Sequence, residues 1–184
     1  MIRFALLSIA AMLLGGSVAQ ASSYKKTNGN IVDPILDTSG STHPYSGNDL
    51  KPDAYLEFAT LTGANLERAD LTRANLHIAN LTGANLRNAK LENVNLTGIS
   101  SGDIHGTPSV LPGNWQLTQG YLIGPLANLT DADLRGAVLN DANLYDADLT
   151  NADLYDANLT GATLTDATLA NANLTNANLT NANL

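Results

Sequence analysis

From Ala54 onward the chain repeats every five residues, and no other feature limits its fold so strongly. Residues 54–98 read AYLEF, ATLTG, ANLER, ADLTR, ANLHI, ANLTG, ANLRN, AKLEN and VNLTG. Residues 127–181 run from ANLTD through ADLRG, ANLYD and ADLYD to ANLTN, and Ala182-Asn183-Leu184 begins one more unit. The third position is Leu in all 21 units, the first is Ala in 20 with Val94 the exception, and the second is Asn or Asp in 15. A period of five matches neither the 3.6 of a helix nor the 2 of a flat strand. Wound as one helix, Ala and Leu would visit every side and leave the polar positions no consistent face. A coil that turns a corner every five residues keeps each Leu and its Ala inside and the other three positions wet. Asn, Asp and Gly suit such corners, because they tolerate left-handed backbone and bond to nearby amides. A solenoid is the economical fold.

The pattern A-(D/N)-L-x-x resembles the pentapeptide-repeat family. The resemblance implies an all-β chain folded as a right-handed quadrilateral β-helix, with four pentapeptides per coil and the Leu and Ala filling the interior. The repeats then make about six coils with one loop interruption. Residues 20 apart become vertical neighbours, separated by the ~4.8 Å of strand pairing. On that register Glu67 meets Arg87, Asp70 meets Lys90, and Arg135 lies against Tyr155 in a cation–π contact. Exposed ion pairs contribute only about 0–1 kcal/mol, so the inner Leu columns carry the stability.

The segments flanking the repeats differ in kind. Residues 1–21 read as a signal peptide: Met1-Ile2-Arg3 is a positive n-region, Phe4 to Leu14 an apolar run, and Val18-Ala19-Gln20-Ala21 a cleavage site. That run is shorter than the ~20 residues a bilayer span needs, so no membrane anchor is expected after cleavage. The expected compartment is the periplasm or the extracellular medium, or a thylakoid lumen in a cyanobacterium. Residues 22–53 form a leader rich in Ser, Gly, Asn, Asp and Pro, whose later part, about Thr42 to Asp53, is expected to cap the solenoid. Residues 54–108 form the first block and 127–184 the second.

Between them, residues 109–126 interrupt the repeat. Ile99 and Ile104 fall at the small inner position while Ser101 and Gly106 fall at the large one, an exchange that conserves interior volume. Ser109 to Asn114 reads as an outward loop, rich in Pro and Gly. WQLTQ and GYLIG then resume the spacing as two imperfect repeats, with Pro125-Leu126 inserted before the second block. The run GNWQLTQGYLIGP resembles an interruption found within some pentapeptide-repeat proteins. Val110, Leu111, Trp115 and Tyr121 offer either a recognition loop or the packing that seats the insert on the solenoid wall.

Catalytic chemistry finds no support. His43, His77 and His105 stand in no nucleophile or metal-ligand pattern, and the chain has no Cys. No cofactor, metal or enzymatic activity is expected. Charge is more informative: the formal net charge is −8, which argues against nucleic-acid binding. Residues 54–98 balance four acids with four bases, whereas residues 127–184 hold eight Asp against Arg135 alone. On the implied register Asp133 stacks on Asp153 and Asp146 on Asp166, so this face needs water, a cation or a basic partner. The leading expectation is a non-enzymatic exported scaffold that binds another protein. The alternatives are an acidic DNA mimic that protects a nucleic-acid enzyme, as the family resemblance suggests, and a calcium-binding or ice-binding face. A weak homodimer through the C-terminal coil, residues 164–184, is a further expectation, because that coil shows no cap.

Overall fold

The computed structural model of the chain describes residues 50–184 throughout and, before them, the backbone of three two-residue strands. Strand β1 (Tyr24–Lys25) pairs antiparallel with β2 (Ile31–Val32), and β3 (Leu36–Asp37) pairs antiparallel with β4 (Ala59–Thr60) on the first coil. The signal segment 1–21 and the cap expected at 42–49 lie outside the described residues. Backbone at the N-terminal edge of the coil comes from Leu36–Asp37, upstream of the expected cap.

No helix occurs among the described residues, and each five-residue unit is one short bridge followed by one turn. The Ala N–H donates to the carbonyl of the Leu three residues earlier, as Ala59 does to Leu56 at 3.1 Å. The residue just before that Ala has positive φ, from Phe58 at 62° to Asn181 at 59°. Positive φ at the third residue of a four-residue turn defines type II. Gly, Asn and Asp crowd this fifth position because other residues pay about 1–2 kcal/mol for left-handed backbone. The second position has its own reason. Asn65, Asp70, Asn80, Asn128 and Asp148 each accept, at the side-chain oxygen, the backbone N–H two residues on. That Asx bond bends the chain into the next corner.

Stacking converts the period into walls. Parallel bridges join Tyr55 to Asn75, Thr60 to Asn80, Asn65 to Asn85 and Asp70 to Lys90, four columns of residues 20 apart. The coil is therefore four-sided. Leu56, Leu61, Leu71, Leu76, Leu81, Leu86 and Leu91 are fully buried, with Ala filling the narrower space beside them. A buried Leu contributes about 1.5–3 kcal/mol relative to an exposed one, and these columns repeat it at every turn.

The interruption differs from its expected form in three ways. The coil does not leave the wall at Ser109: Ser109 N–H donates to Ala89 O at 2.8 Å, Val110 bridges Lys90, and Leu111 packs half-buried against the first core. Residues 109–111 thus hold the frame, since a Ser can stand where the repeat has Ala. Residues 115–124 are not two further repeats but an antiparallel hairpin, β5 (Gln116–Thr118) and β6 (Tyr121–Ile123), with Leu117 facing Leu122. Its two-residue turn has positive φ at both Gln119 (50°) and Gly120 (82°), the type I′ geometry that matches strand twist. Finally, the exchange of large and small residues does not fill the interior by itself. Leu122 enters the first core beside the buried Ile99 and Ile104, and its N–H donates to Ser101 Oγ at 2.9 Å. The hairpin thus supplies a Leu beside a position that Ser101 leaves short.

Deleting Ser109–Asn114 behind a short Gly bridge should therefore destabilise the protein, by at least about 2 kcal/mol for the lost Leu111 contacts alone. A chemical denaturation midpoint equal to that of the intact protein would contradict this.

Candidate interaction site

The eight residues singled out in the sequence separate into three groups. Val110 lies exposed on the wall. Leu111, Trp115 and Tyr121 turn towards the interior: Trp115 packs against both halves of the core, and a side chain at Gly124 would collide with its indole. Tyr121 lies over Gly102, and its hydroxyl accepts the Asp133 N–H at 3.2 Å. These aromatics seat the insert. They do not project from it.

The acidic residues behave differently from a bare carboxylate stack. Asp133 and Asp153 do bridge one coil apart. Arg135, however, forks onto Asp133 at 2.8 and 2.6 Å and lies 3.7 Å from Asp153, so one of the two negative charges is balanced within the chain. Arg135 is thereby engaged by carboxylates rather than by the Tyr155 ring. Glu67 likewise lies 4.0 Å from Arg68, its neighbour in sequence, whereas Lys90 meets Asp70 at 3.4 Å as the register requires. Asp146 and Asp166 occupy left-handed corners, at φ 53° and 61°. Among the described residues no group of three or more His, Asp or Glu is placed to hold a metal ion.

Besides the Arg135 fork, sequence reasoning missed the Arg73–Asp53 ion pair and a set of ladders. Arg73 forks onto Asp53, one coil below, at 2.8 and 2.7 Å. Asn85 donates to Asn65, Asn95 to Asn75, and Asn173 to Asp153, at 2.9–3.2 Å. The spacing of 20 would have found both once applied to every polar position. The carboxylates so engaged are held below their ordinary range: Asp53 by the Arg73 guanidinium, Asp133 by Arg135, and Asp70 and Asp148 by the hydroxyls and N–H groups of Thr72 and Thr150. A carboxylate depressed in the folded state stabilises above its unfolded pKa, and that contribution disappears as pH falls through the folded value. Thermal stability should therefore hold from pH 7 to about 5 and fall progressively below about 4. Asp53→Asn and Asp133→Asn should each flatten that fall, and an unchanged profile would contradict the linkage.

One surface stands out that composition did not reveal. Phe58, Ile78 and Leu126 are 40%, 39% and 37% exposed, and all three sit at left-handed corners, at φ 62°, 54° and 58°. Backbone bonds place them in one column. Phe58 N–H donates to His77 O, Ile78 to Thr97 O, Gly98 to Leu126 O, and Leu126 to Tyr145 O, each at 2.8 Å. Four successive rungs of one corner are thus Phe58, Ile78, Gly98 and Leu126, although the last step spans 28 residues instead of 20 because of the hairpin insert. The Phe58 ring meets His77 edge-on at 5.8 Å. The column is an apolar ridge in which the Ile78 side chain leans over Gly98, its Cγ1 2.9 Å from where a Cβ would stand there.

A four-sided parallel coil with Leu and Ala inside and Asx-bonded corners defines a repeat solenoid. The family described as Pentapeptide repeats matches in 8 copies, over residues 53–88, 79–98, 127–166 and 157–184. The chain belongs to that family. Among solved structures it is similar to HetL, a pentapeptide repeat protein involved in heterocyst differentiation regulation in the cyanobacterium Nostoc sp. strain PCC 7120, with 32% identity over 72% of this chain and 71% of that one, TM-score 0.37. It is also similar to a pentapeptide repeat protein of the cyanobacterium Cyanothece 51142, with 30% identity over 62% of this chain and 59% of that one, TM-score 0.27. A third is a pentapeptide repeat protein of the Arabidopsis thaliana thylakoid lumen, at 25% identity over 73% of this chain and 63% of that one, TM-score 0.22. The chain spans less than two thirds of the length of the Cyanothece and Arabidopsis proteins. No curated protein matches the sequence.

Proposed function

We propose that this protein is a non-enzymatic exported scaffold, a right-handed solenoid of about six coils that binds another protein through the ridge of Phe58, Ile78 and Leu126. The observation that supports this reading is strain kept at the surface. Left-handed backbone at a non-glycine residue costs about 1–2 kcal/mol, and a β-branched residue such as Ile78 is a marked outlier there. Elsewhere in the repeats the corner residues are Gly, Asn, Asp or Arg. Three bulky apolar side chains at strained positions, aligned in one column and half-exposed, improve neither solubility nor the core. Strain held at one place is a reason to look for a partner there. A short apolar stripe on a wall whose bridge positions are Thr60, Asn80, Ser100 and Asn128 has the character of a protein-binding patch.

Affinity capture from the native compartment tests this reading, with the intact protein and Ile78→Asn compared side by side. Asn accepts left-handed backbone, so the variant should melt at the same temperature or higher while losing its partner. A lower melting temperature would assign Ile78 to the core, and undiminished recovery of the partner would remove the ridge from the proposal.

A further inference from the structure

The register sets Glu67 one coil from Arg87, yet the two do not close on each other: Glu67 lies 4.0 Å from Arg68 instead. Arg68, Arg73 and Arg135 each have a carboxylate within 4.0 Å, whereas Arg87 has none among the described residues. Arg87 lines a surface hollow of about 670 Å³ together with Glu67, Asn88, His105 and Thr107. We propose that this hollow binds a small organic zwitterion, with its carboxylate on Arg87 and its ammonium towards Glu67. The hollow lies on the wall of Asn65, Asn85 and His105, apart from the ridge, and does not depend on it.

Three successive rungs build the site. Arg68 N–H donates to Arg87 O, and Asn88 N–H to Thr107 O, both at 2.8 Å, which sets Arg87 between the rungs of Glu67 and Thr107. Asn85 Oδ1 accepts the Arg87 N–H at 3.0 Å. Gly106 packs so closely that a Cβ on it would lie 2.6 Å from Arg87 Cβ. The base of the arginine is thus fixed while its guanidinium is unpaired. The side chains of Asn88, His105 and Thr107 also make no hydrogen bond or ion pair among the described residues. An amide, an imidazole and a hydroxyl therefore stand beside the guanidinium with donors to spare.

Charge narrows the ligand. The planar fork of a guanidinium matches a carboxylate. A multiply charged anion such as phosphate would face Glu67 in a protein of net charge −8. A simple carboxylate satisfies Arg87 but sets like charge against Glu67. A zwitterion satisfies both ends and adds no net charge. The volume is that of a small-molecule site, a range of about 300–1,000 Å³.

Nuclear magnetic resonance titration of the purified protein tests this, with 4-aminobutyrate, butyrate and butylamine as probes of nearly equal size and inorganic phosphate beside them. 4-Aminobutyrate should shift the Arg87 Nε–H and Gly106 N–H signals saturably, and bind at least about tenfold tighter than butyrate or butylamine. Arg87→Gln should weaken that binding by about tenfold or more. Glu67→Gln should weaken 4-aminobutyrate but tighten butyrate, two changes of opposite sign that a general loss of structure cannot produce. Arg73→Gln should bind as the intact protein does, because Arg73 already serves Asp53. All three substituted side chains are exposed, so circular dichroism should show every variant folded. No saturable shift up to about 100 mM would overturn the proposal. So would butyrate, butylamine or phosphate binding as tightly as 4-aminobutyrate, or undiminished binding by Arg87→Gln.

Discussion

Leu71→Asp should leave the protein unfolded at room temperature, whereas Thr72→Asn on the next residue should move its melting temperature by only a few degrees. Leu71 is fully buried, and its N–H donates to Lys90 O at 2.9 Å, so the backbone there cannot swing the side chain outwards without breaking the wall. Truncating a buried Leu costs about 2–5 kcal/mol, and an unpartnered carboxyl in its place adds several more. Together these approach the whole stability of an ordinary domain, about 5–15 kcal/mol. Thr72 points outwards and loses only its hydroxyl bond to Asp70 at 2.5 Å. Comparable melting curves for the two variants would refute the inner and outer assignment of every repeat in the first block.

Trp115→Ala should cost about 3–5 kcal/mol, the upper range for removing a large aromatic from packed surroundings. The buried core falls into two clusters, one ending at Leu122 and the other beginning at Ile123, and Trp115 packs against both. Gly124→Val should approach the same loss by another route, because its added side chain occupies the volume of the indole and expels it. The two substitutions should then be far from additive: once the indole is gone, the valine has little left to displace. The double variant should be about as stable as Trp115→Ala alone. Additive losses in urea denaturation would mean that Gly124 and Trp115 do not share one packing site.

How much of this was legible in advance depends on which positions are considered. The inner columns were legible because Leu and Ala recur at fixed places and only burial explains that recurrence. The Asp70–Lys90 pair followed from the register that the family resemblance implies. Arg135 did not, because its choice between Tyr155 and the carboxylates depends on where a long side chain can fork, and Asp133 lies two residues away on the same wall. The ridge was legible only in part. Phe58 and Ile78 are 20 apart, but Leu126 joins them through a step of 28, and nothing in the spacing says how many residues an insert consumes before the wall resumes.

The repeat by itself determined the solenoid class, the interior and the corners, because a period of five hides Leu and Ala only in a coil that turns at every unit. Four units per turn, and with them the vertical neighbours, came from the family resemblance, and the parallel bridges 20 residues apart bear them out. Only the tertiary structure decided what the interruption is. WQLTQGYLIG keeps Leu five residues apart, as two more repeats would, so pattern cannot tell them from a hairpin. The difference lies in the left-handed turn at Gln119-Gly120 and in the volume beside Ser101, which Leu122 fills from a distant part of the chain. Local spacing specifies contacts that recur. A contact made once, between an insert and a gap elsewhere in the wall, exists only when the coil has closed around it.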